Sequence, residues 1–340
     1  MADIIEAKKM YLASSPHISS PVDAKRLMLN VLIALVPCTV YGVVLFGVPA
    51  ILNIVVAIAV SLVAELVFRK LTKQDSRAGD CSAVVTGLLL ALVLPPSTPL
   101  WMTALGAIFA IVVAKEFFGG LGANVFNPAL VGRAFLIMSF PAAITTWHKP
   151  AGLVATLPDA LSGATPLGLA RGLLGEEAVA AVGKDFGGAD YGSVMQTLFL
   201  GNHGGCIGET SILLILVGAA YLLITKTIDW RTPVAMLCMT VLASLVLGVD
   251  PLFALLSGGV VFGAVFMATD YVSGPLTPKG KLIFGAGAGL ITVLIRRWGA
   301  FPEGVTYGIL IMNAVCPFLN RLLNKKYGFV KAVKKPEAAK

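Results

Sequence analysis

The chain has 340 residues, of which 57% are hydrophobic and 13% charged, and its mean hydropathy is +0.87. A soluble domain carries about 25% charged residues and could not hide this much apolar surface in one core, so a lipid-embedded protein is expected. The net charge of +8 would suit a nucleic-acid partner, but the placement of the basic residues makes it a topology signal, and no nucleic acid is expected. The cysteines at 38, 81, 206, 238 and 316 form no C-x-x-C pair, which argues against a zinc or iron–sulfur site. His17, His148 and His203 lie outside the apolar runs, where they could not serve a haem as axial ligands.

In chain order, residues 1–27 form a polar head without the short apolar stretch and cleavage site of a signal peptide. A spanning helix needs about 20 apolar residues. Such runs lie near 28–46, 49–68, 82–95, 100–118 and 124–141, then near 210–226, 232–249, 252–269, 282–297 and 303–320. The third and eighth end at Pro95-Pro96-Ser97-Thr98-Pro99 and Gly274-Pro275-Leu276-Thr277-Pro278, where proline stops a helix. Both breaks carry Pro-x-Thr-Pro, 179 residues apart, and the same offset carries Gly119-Gly120 onto Trp298-Gly299. The reading is an all-α polytopic membrane protein of about ten spans in two five-helix repeats, 28–141 and 210–320. An odd number of helices per repeat inverts the second copy, an architecture of transport proteins that bind at the repeat interface.

With the N-terminus placed in the cytoplasm, most of the 26 lysines and arginines fall on the inner side, including those of the tail 321–340. Lys149, Arg171, Lys184, Arg296 and Arg297 fall outside, and Arg133 within a span. This bias fits the positive-inside rule with both ends cytoplasmic, and only the pair Arg296-Arg297 speaks against it. The segment 142–209 then lies outside as a long polar loop without obvious regular structure.

In that loop stands Asp159-Ala160-Leu161-Ser162-Gly163-Ala164-Thr165-Pro166-Leu167. Thr165 before Pro166 predicts a capped helix start, with a short helix over 166–174. The other reading is an exposed hydroxyl on a small-residue turn, a place to attach a phosphate group. Asp-x-x-Ser-Gly-Ala-Thr resembles the flavinylation motif of the RnfD / NqrB family of membrane electron-transport proteins. Ser14-Ser15-Pro16-His17-Ile18 ahead of a helix at Met28, Lys115-Glu116-Phe117-Phe118-Gly119-Gly120 and Asn124-x-x-Asn127-Pro128-Ala129-Leu130 resemble it too. The likeness runs from about residue 10 to 325, and the chain length is that of the RnfD branch.

The resemblance implies FMN joined to Thr165 by a phosphoester, made by a flavin transferase that reads Asp159, Ser162, Gly163 and Ala164. It also implies a second, non-covalent flavin such as riboflavin. It implies partnership with the other members of the Rnf complex (RnfA, RnfB, RnfC, RnfE and RnfG), which passes electrons between ferredoxin and NAD and moves Na⁺ or H⁺. A flavin would supply the electron carrier that the cysteines and histidines do not.

Among charged residues in or beside spans are Glu65, Glu116, Arg133, Asp250 and Asp270. Such residues are costly in lipid and are functional candidates by default. Glu65 and Arg69 have the i, i+4 spacing of an ion pair. Glu116, beside Lys115 and Gly119-Gly120, and Asp270, at the break of the second repeat, are the candidates for a cation path. Asn127-Pro128-Ala129 has no second copy of the kind water channels use, and Asn127 is expected to cap the fifth helix. The competing function is a small-solute channel or secondary transporter, for which the flavinylation motif would have no use.

Overall fold

The computed structural model describes residues 23–74, 78–148, 150, 162–163, 165–188, 190–299 and 303–323. Each expected span contains helix. The first repeat holds α1 (Ala24–Phe46), α2 (Val48–Leu71), α3 (Ser82–Leu92), α4 (Leu100–Ile108) and α5 (Pro128–Ser139). A wider π turn, Phe109–Val113, and a 3₁₀ turn, Glu116–Phe118, continue α4. A single turn, α6 (Pro141–Ile144), closes this half, and the connecting segment carries α7 (Pro166–Leu169), α8 (Gly175–Asp185) and α9 (Tyr191–Leu200). The second repeat holds α10 (Ile212–Ile224), α11 (Arg231–Val246), the broken helix α12 (Pro251–Leu256) with α13 (Val260–Phe262), α14 (Pro278–Trp298) and α15 (Val305–Leu323). Five stretches are long and apolar enough to cross a bilayer by themselves: α1, α2, 100–118, α14 and α15.

Four helices start by one local rule, a side-chain cap followed by proline. Asn127, Thr165, Asp250 and Thr277 each accept a backbone N–H of the first turn, and proline follows each of them. The cap satisfies a donor that the helix cannot, and proline has no N–H to leave orphaned.

The inversion of the second repeat is visible in the hydrogen bonds. Asn30, near the start of α1, donates to Thr227 Oγ1 at 2.9 Å. Thr227 lies between α10 and α11, so α11 starts on the face where α1 starts. Since α2 follows α1 through a tight turn at Gly47, it starts on the opposite face. Along α2, Asn53 meets Thr103 Oγ1 and Pro96 O, and Glu65 meets Lys115. Those two layers are twelve residues apart, about 18 Å at 1.5 Å per residue. They mark the opposite-face and the α1-start levels of the bundle.

The third and eighth spans are not continuous helices. The α-helix of the third stops at Leu92, and the eighth breaks at Ser257-Gly258 and winds into a π turn over Gly263–Met267. Carbonyls at their ends are met from distant parts of the chain. Ile207 N donates to Leu94 O at 3.2 Å and Gly208 N to Leu92 O at 2.8 Å, while Asn127 Nδ2 donates to Met267 O at 3.3 Å. Irregular backbone at membrane depth is tolerated only when protein satisfies it in this way.

The described residues of 142–209 hold more regular structure than the composition of the segment suggests. Helices α8 and α9 fold against Phe253 of α12 around Val179, Val182, Val194 and Leu198. A two-residue ladder pairs Trp147–His148 with Ser162–Gly163, so the all-α fold carries one short strand pair. Small residues let α11 and α14 pack closely. A Cβ on Gly285 would strike Thr232 O, and one on Gly289 would lie 2.5 Å from Met236 O. This is the Gly-x-x-x-Gly packing of membrane helices, driven by van der Waals contact. Gly289→Leu is therefore expected to cost about 2 kcal/mol or more through overpacking, read as a lowered unfolding temperature in detergent, with Leu290→Ala on the partly exposed flank much milder.

Candidate functional site

Thr165 sits at the N-cap of α7, where Oγ1 accepts from Gly168 N at 3.1 Å. The expected cap is present, but α7 ends at Leu169 rather than reaching 174. The expectation of an exposed hydroxyl is corrected: Thr165 is 6% exposed. Burial follows from its double attachment, with α7 held by its own cap and packed through Leu167 and Ala170 against the α8–α9 cluster. Ser162 and Gly163 form the strand facing Trp147–His148. Asp159 and Ala164 lie outside the described residues.

At the α1-start face, Glu65 and Arg69 form the expected i, i+4 pair within a larger cluster. Lys115 Nζ lies 3.1 Å from Glu65 Oε1 and donates to Ser82 Oγ at 2.5 Å. Arg69 Nη2 lies 3.2 Å from Glu116 Oε2 and Arg69 Nε 3.8 Å from Glu65 Oε1. All four ionised side chains are buried. Two carboxylates against two cations leave no net charge, which lets the group survive in an apolar surround. Glu116 thus stands behind Lys115 and Arg69.

Asp270 caps its own turn, accepting from Val272 N at 3.3 Å and Ser273 Oγ at 2.7 Å. It shares with Lys115 a cavity of about 80 Å³ at the repeat interface, whose other polar walls include Ser82, Asn124, Asn127 and Thr269. Glu116 and Asp270 are not equivalent positions of the two repeats. Inversion would place equivalents on opposite faces, and these two approach one face. Asn127 fulfils its expected cap, accepting from Ala129 N at 3.1 Å and Leu130 N at 3.4 Å.

Composition gave no sign of the opposite cluster. Arg133, on α5 of the first repeat, lies 3.1 Å from Glu209 Oε1, at the end of the connecting segment, and bonds Glu303 of the second repeat. Its Nη2 also lies 3.4 Å from Cys206 Sγ. Cys206, Glu209 and Glu303 bring potential ligand atoms within 4.8 Å of one another, but the guanidinium already holds the cation position between the two carboxylates. Glu209 and Glu303 sit just outside helix ends, so no periodicity marks them. Asp250, the remaining candidate, caps α12 and accepts from Tyr191 Oη at 3.0 Å.

Two inverted five-helix units, with a broken helix reached across their interface and charge clusters toward both faces, define a polytopic inverted-repeat membrane protein. Residues 11–328 match the NQR2, RnfD, RnfE family, and the chain belongs to that family. It is 42% identical over 317 residues to the D component of the proton-translocating ferredoxin:NAD(+) oxidoreductase complex of Clostridium ljungdahlii, covering 91% of this chain and 93% of the relative. It is 40% identical over 332 residues to the D component of the Na(+)-translocating ferredoxin:NAD(+) oxidoreductase complex of Acetobacterium woodii, covering 96% and 98%. The D component of the ion-translocating oxidoreductase complex of Stutzerimonas stutzeri is 41% identical over 340 residues, covering 92% and 93%.

Arg133→Leu leaves Glu209 and Glu303 buried without their cation, and removing one partner of a buried pair costs about 3–5 kcal/mol. The expected result is a large loss of thermal stability in detergent, partly restored by adding Glu209→Gln. A single variant as stable as the wild type would mean that Arg133 does not hold the repeats together.

Proposed function

We propose that the chain is the D-type membrane component of an ion-translocating ferredoxin:NAD oxidoreductase, carrying electrons through an FMN joined to Thr165. The observation that carries this reading is the near full-length similarity to relatives that bear that name. The bundle supports it by providing both an embedded scaffold and a folded segment on one face that presents Thr165.

Thr165 is chemically suited to the link. Its Oγ1 acts toward Gly168 as an acceptor only. A phosphoester would remove the hydroxyl proton and keep an oxygen in the same place, so the cap is compatible with attachment. Burial requires the turn to open to a flavin transferase, and the small residues Ser162, Gly163 and Ala164, with Asp159, are proposed as what that enzyme reads. When bound, the flavin supplies the electron-carrying chemistry, while the protein supplies position and electrostatics.

The proposed orientation puts both termini and the α1-start face in the cytoplasm, and residues 142–209 outside. The other Rnf proteins are the proposed partners. The cavity shared by Lys115 and Asp270 is the proposed inner end of a Na⁺ or H⁺ path, with the Glu116–Arg69 pair behind it. A second flavin such as riboflavin is proposed for the helical part. A solute channel would leave Thr165 without a role.

Two measurements test this. Co-expression with a flavin transferase should give a denatured band at the mass of the chain that fluoresces under ultraviolet light, and Thr165→Ala should abolish it. A dark wild-type band made beside an active transferase would overturn the flavin reading. In the assembled complex, Glu116→Gln and Asp270→Asn should each slow coupled ion transport severalfold while the fluorescent band persists; unchanged transport would remove that residue from the path.

A further inference from the structure

The outward side of α2 exposes apolar side chains from Val48 to Leu71, but only its second half is hollow. A groove of about 480 Å³ runs between α2 and the continuation of α4, walled by Ala59, Ala64, Val67 and Leu71 on one side and by Ile108 and Val112 on the other. The two alanines leave room on α2. Across from them the chain winds into the π turn Phe109–Val113, whose one aromatic ring, Phe109, stacks on Phe135 of α5 with centroids 4.1 Å apart. From Ala59 to Leu71 the groove is about 18 Å long, at 1.5 Å per residue. It starts at the middle of α2 and ends where α2 ends. On the facing stretch, exposed Trp101 and Phe117 stand near the two ends, and Ile108 and Val112 run from the middle toward Phe117.

The end of the groove carries charge of one sign. Lys70 and Lys73 are exposed there, and among the described residues neither forms an ion pair. Asp80, in the turn that follows α2, accepts from Ser82 N at 2.9 Å. Arg69 faces the other way, into the buried cluster with Glu65 and Glu116. Phe68 lines the groove and meets Phe117 with ring centroids 5.6 Å apart, which sets an aromatic pair at the level where such rings mark a membrane interface. A partner's spanning helix would follow α2 through the whole hydrocarbon core of about 30 Å. The hollow matches one leaflet, about half of that depth. A lipid tail fills one leaflet and stops at its headgroup, here beside two lysines whose stems can lie along the apolar wall and lift the ammonium groups to the surface. Basic groups at this level attract anionic headgroups.

We propose that the groove between α2 and the α4 continuation is a binding site for one anionic phospholipid, with an acyl chain along Ala59–Leu71 and the headgroup phosphate held by Lys70 and Lys73. The inference stands apart from the flavin reading, since neither Thr165 nor a flavin enters it. The probes are phosphatidylglycerol and phosphatidylcholine with identical acyl chains, titrated into the purified full-length chain in neutral detergent and counted by native mass spectrometry. Phosphatidylglycerol should bind at least about tenfold tighter, a difference of about 1.4 kcal/mol. Lys70→Gln with Lys73→Gln should erase that preference, and Lys70→Arg with Lys73→Arg should keep it. Ala64→Phe, which fills the groove with an apolar ring, should weaken binding of both lipids at least about tenfold while the unfolding temperature stays near that of the wild type. In the assembled complex, phosphatidylglycerol with a photoreactive group on its acyl chain should label the peptide 59–71. Equal affinity for the two lipids, or a preference untouched by the glutamine variant, overturns the headgroup assignment and with it the proposal. Absence of labelling at 59–71 in the complex means that a partner's helix covers the groove, and overturns it too.

Discussion

Inside a bilayer no water is available to satisfy the cut end of a helix, and the rest of this architecture follows from how that demand is met. The third and eighth spans both stop short, and each has carbonyls at its end that take donors from distant parts of the chain. Backbone amides of Ile207 and Gly208 reach the first break, and the side chain of Asn127 reaches the second. The connecting segment therefore serves the first break, and the first repeat adds a donor at the second. Arg133 adds a third tie, joining the first repeat to Glu209 at the end of the connecting segment and to Glu303 of the second repeat. The broken helices are tolerable because the two halves are together.

The same exchange fixes where polar side chains can collect. Where helix ends meet at the repeat interface, they bring serine, asparagine and threonine to the cavity shared by Lys115 and Asp270. Where helices are continuous, as along α1 and α2, the outward surface is apolar. Charges at depth occur in compensated groups. Glu65, Arg69, Lys115 and Glu116 neutralise one another, and a change to any one alters the field felt by the other three.

Much of the fold was legible from the sequence because the signals were local or periodic. Pro-x-Thr-Pro marked where the third and eighth spans end, though not the break at Ser257-Gly258, the 179-residue offset marked the repeats, and the cap-proline pairs marked helix starts at Asn127 and Thr165. The Glu65–Arg69 pair followed from its spacing, but its extension to Lys115 and Glu116 did not, because those residues arrive from another helix. Glu209 and Glu303 were invisible for a similar reason: each lies in a connector and acquires its role only when α5 brings Arg133 between them. The order of α8 and α9 was missed because a polar composition hides short apolar faces, here Val179, Val182, Val194 and Leu198, that pack on one another and on Phe253. The burial of Thr165 was missed because a motif describes who stands beside a residue in sequence, and not what folds over it.

That burial bears on chronology. One oxygen of Thr165 closes the first turn of α7, and the residue is buried. On the proposed reading, an enzyme that must grip this residue competes with the chain's own packing. The modification then belongs early in the life of the protein, before the surroundings of α7 pack, or it waits on rare openings there. Once the loop has closed over it, the linkage is shielded from hydrolysis by the same walls, so a slow entry and a long residence are two sides of one buried turn.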